Sequence, residues 1–163
     1  MASGAGSRQY VVFRMDRLLY ALASNQVSEV TQAVAIRPLP KAGDMVEGIF
    51  NYRGQLVPLL DIRRRFRLGQ SALHPSQHFI IAALSDRRVA IRVDGIERLA
   101  EIPEADIEDA RQAVPDAEYL AGVAKLRDGL ILIHDLSTFL SAGEADDLDE
   151  KLVAAEAAPD LAP

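Results

Sequence analysis

The 163-residue chain contains no cysteine and no tryptophan, and only 6% of its residues are aromatic. Without cysteine there is no disulfide framework, no thiol nucleophile and no cysteine-ligated metal. No apolar run reaches the roughly 18 residues that a membrane helix needs. The start, MASGAGSRQ, lacks the long apolar stretch of a secretory signal, so a cytosolic protein is expected. The sequence holds no G-x-x-x-x-G-K-[ST], no G-x-G-x-x-G and no G-x-S-x-G. His74 and His78 are four apart but separated by Pro75, and no third ligand is nearby. Together with His134 they read as surface or loop histidines, not zinc ligands. Ser137 lies close to His134 and Asp135, but a helix-capping role for Asp135 explains that spacing better than a catalytic triad does. Glu108 and Asp109 sit in a solvated acidic run, not in an apolar pocket that would split their pKa values. No enzyme, cofactor or metal is expected.

What is present is 49% apolar residues, 26% charged residues and a net charge of -6, a balance that folds rather than stays disordered. Residues 144–163 carry seven acids and one base, so the tail accounts for the whole net charge and the body is neutral. Within the body, residues 53–98 hold nine Arg against four acids, whereas residues 101–118 hold seven acids against Arg111 alone. Such asymmetry suits complementary docking onto other proteins, and equally two solvated faces of opposite sign. Nucleic acid is a poor match, because the dense basic cluster Arg63, Arg64, Arg65 and Arg67 has only Phe66 among it.

Apolar residues come mostly in runs of four to seven bounded by Gly, Pro, Asp or Asn, which predicts strands. Tyr10–Met15 and Leu18–Leu22 flank Asp16-Arg17 as a hairpin, and Gly48–Tyr52 and Gln55–Leu60 flank Arg53-Gly54 as another. Pro58 demotes its strand to an edge or a bulge. Ser24 is expected to cap a helical turn over residues 25–28, and Asp61 one at IRRRF. After a loop at residues 69–77 the pattern restarts. Phe79–Leu84 and Val89–Val93 form a hairpin, residues 96–102 alternate, and Tyr119–Leu126 pairs with Leu130–Ile133. A last turn lies at Leu136–Leu140. Nine or ten short strands in two sets, split near residue 70, predict an all-β fold of two small five-stranded barrels with short helical turns. Residues 1–8 are expected to be flexible, and residues 143–163 to be an acidic, disordered or frayed tail.

Five segments stand in a recognisable order: QYVVFRMDRLLYAL, VSEV at Val27–Val30, GIFNYRGQLVPLLDIRRRF at Gly48–Phe66, VAIRVDGIERL at Val89–Leu99, and YLAGVAKLRDGLILIHDLSTFL at Tyr119–Leu140. Together they resemble the CheW family, the scaffolds that couple bacterial chemoreceptors to the histidine kinase CheA. The resemblance covers roughly residues 9–141. It implies two intertwined SH3-like barrels whose strands may cross between subdomains, and no catalysis. It further implies a receptor helical hairpin docked in a groove between the barrels, a kinase regulatory domain bound through apolar patches, and recruitment to receptor arrays at the inner membrane.

Carried onto this chain, the resemblance makes Glu29 and Arg53 the acidic and basic positions of VxEV and NxRG, able to form a bidentate pair. The competing reading of Glu29 is the solvent-facing residue of an alternating strand. Val27 and Val30 divide between core and groove. Gly48 is a candidate for close backbone approach to a partner, whereas Gly54 is explained by its turn. Ile96, Leu99 and Val123 are added to the groove or patch, with core packing the alternative for each. Two departures stand out: Tyr52 replaces the apolar residue of the family's NLRG-like motif, and residues 107–117 are more acidic than the kinase-facing stretch of the family. The latter puts kinase contact in doubt and leaves room for a scaffold of a non-flagellar pathway. A receiver-fused relative needs roughly 120 further residues. The start at Met1 and the low-complexity tail favour a free-standing protein over a piece of a kinase.

Overall fold

The computed structural model describes residues 6–84, 87–109, 120–127 and 129–157. Its first sheet has the order β8 (Gly95–Pro103), β1 (Ser7–Met15), β2 (Leu18–Ala23), β11 (Gly129–His134), β10 (Leu120–Leu126), β9 (Ile107–Asp109). Its second has the order β3 (Val27–Gln32), β6 (His78–Leu84), β7 (Arg87–Val93), β5 (Gln55–Leu60), β4 (Val46–Tyr52). These are the two barrels of the all-β expectation, the first with a sixth strand of only three residues. The division does not fall near residue 70. The first two strands leave the N-terminal half and pair with β8 and β11, so the barrels are interlaced.

The reason the apolar runs look continuous lies in the packing. Alternate residues of β1 split between two cores. Tyr10 and Val12 enter the interior of the first barrel with Ile102, Ala124, Ile131 and Ile133, whereas Val11, Phe13 and Met15 enter a core between the sheets. On β6, Phe79 and Ile81 fill the second barrel with Phe50, Val57 and Leu59, whereas Ile80 and Ala82 join the inter-sheet core. A strand buried on both faces shows no polar alternation.

Local signals are met by local chemistry. Asp16, at φ 55, opens the two-residue turn that pairs Met15 with Leu18. Asp61 caps α1 (Ile62–Arg65) by accepting from the Arg64 N–H, and Asp135 caps a 3-10 turn by accepting from Ser137. The turn at Ser24–Gln26 is a 3-10 turn in which Ser24 makes no capping bond. The strand containing Pro58 is not an edge, since β5 lies between β4 and β7. Pro58 is tolerated because its partner Ile49 spends both its N–H and its C=O on Arg37, at 2.7 and 2.8 Å. No hydrogen bond is therefore asked of Pro58 from β4, and pairing with β7 begins one residue later, at Leu59.

Both termini depart from expectation. Ser7 and Arg8 are drawn into β1 by pairing with Pro103 and Ile102. Residues Ala142–Glu156 form α2, with a full capping box between Ser141 and Glu144. Two of the acids that made this stretch look disordered, Glu144 and Asp149, are held by arginines of the body. Arg65 pairs with Glu144 and donates to the Phe139 carbonyl at 2.8 Å, and Arg87 pairs with Asp149 and donates to the Ala145 carbonyl at 2.9 Å. Leu148 and Ala155 are buried in the inter-sheet core. Leu148, 2% exposed, is the main apolar anchor, so Leu148→Ala is expected to cost about 2–5 kcal/mol in chemical denaturation. An unchanged midpoint would mean that α2 merely rests on the surface.

Acid should loosen the same helix. Burial pulls the Glu144 carboxyl upward, but the Ser141 N–H and the Arg65 guanidinium outweigh it and leave the group below its ordinary value of 4.5. Its contribution is thus complete above that value and is lost as pH falls through the lower folded value. Amide exchange at the start of α2 should accelerate in that window, and Glu144→Gln should flatten the dependence.

Two more arginines of the basic half, Arg63 and Arg92, are also satisfied internally, whereas Arg53, Arg64, Arg67, Arg88 and Arg98 are exposed. Arg63 is buried and donates to Asp16 at 2.6 Å and to the Gly69 carbonyl at 2.7 Å. Arg92 grips Glu47 through Nη2 at 2.7 Å and Nε at 3.2 Å. Asp94 links the two clusters, accepting from the Asp16 N–H at 2.6 Å and from Gln77 at 3.1 Å. His134 is likewise inside, 4% exposed and stacked on Phe66 at 4.0 Å, which corrects its reading as a surface or loop residue.

Candidate docking surface

Four of the five apolar candidates come in two pairs, each three residues apart on an edge strand. Three residues along a regular strand lie on opposite faces. Here each strand carries a bulge. On β3 the register shifts between Val27 and Glu29, so Val27 lies opposite Ala82 and Val30 opposite Ile80, both members of the inter-sheet core. On the β1–β8 pair it shifts between Val12 and Phe13, so Ile96 lies opposite Phe13 and Leu99 opposite Val11, again both in that core. All four side chains therefore sit at the margin of one buried cluster. Val27 and Ile96 pack partly against it, whereas Val30 and Leu99 remain 40% and 66% exposed.

The bulge also turns Glu29 to the other face, toward the tip of the β4–β5 hairpin. That tip is a two-residue turn with Arg53 at φ 51 and Gly54 at φ 86, closed by Asn51 Oδ1 accepting from the Gly54 N–H at 3.0 Å. Positive φ at both central residues is the turn that matches strand twist. Arg53 Nη1 meets Glu29 Oε1 at 2.9 Å, and the Tyr52 hydroxyl donates to Glu29 Oε2. The Arg53 guanidinium carbon lies 5.1 Å from the Tyr52 ring centroid. The pair is thus not the bidentate one expected, because the tyrosine takes the second oxygen. Since β3 and β4 are the two edges of their sheet, this cluster bridges the open seam of the second barrel.

Two candidates sit elsewhere. Gly48 is buried, and a Cβ there would lie 2.6 Å from the Arg37 carbonyl oxygen. The close approach it permits is to the chain's own segment, not to a partner. Val123 is 3% exposed, between Glu108 of β9 and Leu132 of β11. Residues 110–117 of the acidic stretch lie outside the described residues. Ile107–Asp109 form β9, whose Glu108 pairs with Lys125 at 2.8 Å. Two adjoining depressions of about 320 and 340 Å³ share Arg8, Tyr10, Ala121 and Ile133, and none of the eight candidates lines either. Tyr52, a hydrogen-bond partner of Glu29, is not among the sequence candidates. Its one available signal was a polar-tipped aromatic at an otherwise apolar motif position.

Two interlaced β-barrels with an apolar margin along their shared core and an ion-paired hairpin tip make up a protein-docking scaffold. The chain belongs to the CheW-like family, whose model matches residues 9–144. This is a family of non-catalytic scaffold and coupling proteins of chemotaxis. Among its relatives, the chemotaxis protein CheW of Treponema pallidum is 28% identical over 146 residues, covering 86% of each chain. Protein FrzA of Myxococcus xanthus is 26% identical over 106 residues, covering 65% of this chain and 66% of its own. The crystal structure of the scaffolding protein TtCheW from Thermoanaerobacter tengcongensis superposes with a TM-score of 0.77 at 28% identity, covering 85% of this chain and 96% of the other. Most of α2 lies beyond the matched segment.

Proposed function

We propose that this chain couples bacterial chemoreceptors to the histidine kinase CheA, binding a helical hairpin of the receptor tip and the regulatory domain of the kinase. The observation that carries the reading is the pair of bulges. They set Val27, Val30, Ile96 and Leu99 on strand faces that border one core, Val27 and Ile96 packed partly against it and Val30 and Leu99 exposed, apolar surface of the kind onto which a helix can lay an i, i+3, i+4 stripe. Glu29 and Arg53 add a polar contact from the hairpin tip, and buried Gly48 and Val123 shape the framework behind it. The protein would work in the cytoplasm, recruited to arrays at the inner membrane. No helix among the described residues is long and apolar enough to cross a membrane.

The similarity to FrzA and the acidic residues 107–117 favour a second reading, a scaffold of a non-flagellar chemosensory pathway with altered kinase contact. Co-sedimentation with a receptor cytoplasmic fragment and its kinase separates the two. Entry into the pellet with increased kinase recruitment supports coupling. Receptor binding without kinase recruitment points to the altered face, and binding to neither removes both readings.

A further inference from the structure

We propose that Tyr52 is a positioning residue that keeps the Glu29–Arg53 pair open, so that Arg53 can take an acidic side chain of the docking partner. The proposal rests on the docking role given above for this hairpin tip. A guanidinium and a carboxylate side by side tend to close into two parallel hydrogen bonds. Here they do not. Only Nη1 of Arg53 reaches Glu29, at Oε1, because the Tyr52 hydroxyl already donates to Oε2. The tyrosine ring, 5.1 Å from the guanidinium carbon, supports the cation. One edge of the five-donor fork is therefore left without an intramolecular carboxylate. Arg53 remains 70% exposed, whereas Glu29 is 34% exposed and has a donor on each oxygen.

A second observation points the same way. Arg53 holds φ 51 in an exposed two-residue turn where Asn or Gly fits with less strain. The arginine held there presents its guanidinium outward, with one nitrogen on Glu29 and the rest of the fork toward solvent. The partner chemistry follows from what is presented: a cation with a free bidentate edge, beside an acid whose charge is already paired. It selects a carboxylate and offers little to a lysine or arginine.

Tyr52→Phe keeps the ring and removes the hydroxyl. Glu29 Oε2 is then free to take the second Arg53 nitrogen, which closes the fork. The probe is the cytoplasmic hairpin of a chemoreceptor encoded in the same genome, with copies in which each acidic residue of its tip is changed in turn to Gln. One such change should weaken binding to the parent protein about tenfold and binding to Tyr52→Phe markedly less, with melting temperatures unaltered. In the same samples, the Arg53 Nη–H signals should show one held nitrogen in the parent and two in Tyr52→Phe. Identical guanidinium spectra in the two proteins overturn the proposal, as does equal sensitivity of both to every acidic substitution. If the parent fails to capture the hairpin, the coupling reading falls, and the guanidinium spectra still decide whether Tyr52 holds the pair open.

Discussion

Replacing Arg53 by Asn should weaken capture of the receptor hairpin about tenfold or more, with the melting temperature unchanged or slightly raised. The two effects separate because they have different origins. The ion pair with Glu29 is solvent-exposed on the arginine side, where such pairs contribute about 0–1 kcal/mol. Against that small loss, Asn relieves a positive φ of 51 that costs an ordinary side chain about 1–2 kcal/mol. The hairpin thus forms at least as well without Arg53, and what disappears is the exposed guanidinium. Calorimetry and co-sedimentation on the same preparation test this. A fall in melting temperature that tracks the loss of binding would instead make Arg53 a staple between the hairpin tip and β3, and the docking assignment would be wrong.

The largest stability effect is expected at Arg92. Its side chain is 4% exposed and lies across from Phe79, on the face that fills the second barrel. It grips both oxygens of Glu47, donates to the Ser71 carbonyl at 2.9 Å, and reaches Gln77 Oε1 at 3.2 Å. The pair joins β7 to β4 and pins the loop before β6. Arg92→Met leaves Glu47, only 17% exposed, without its cation. Stranding a buried charge in this way costs about 3–5 kcal/mol, whereas replacing both partners with apolar residues is often close to neutral. Arg92→Met should therefore lower the melting temperature by roughly 10 °C, and Arg92→Met combined with Glu47→Leu should recover much of it. A single variant that melts with the parent would show that water reaches Glu47 without unfolding.

Both predictions depend on contacts between residues far apart in the chain, and those were the least legible in the sequence. Most short-range features are legible, the Ser24 cap excepted. Asp16-Arg17 and Arg53-Gly54 are turns, Asp61 and Asp135 are caps, and each fits within four residues of backbone. The arginine-rich segment after Asp61 was another matter. As a string it is a basic surface cluster, yet Arg63 is buried on Asp16 and Arg65 reaches Glu144. The acidic tail was misjudged for the same reason. Composition sees like charges that repel, whereas the fold sets Glu144 and Asp149 against two arginines and gives Leu148 a core to enter.

By itself, then, the sequence determined the strand class, the hairpins, the Asp61 and Asp135 caps and the family, because each is written in residues close together or in an ordered set of motifs. Tertiary structure alone decided which face of each strand carries the residues proposed for docking. Val27 with Val30, and Ile96 with Leu99, are three apart and belong on opposite faces of any regular strand. A one-residue register shift in each pairing turns them to the same side. Side-chain facing in a sheet has a period of two, so a single bulge reverses everything beyond it. Where that bulge falls shows only in the pairing of the two strands, not in the apolar pattern of one.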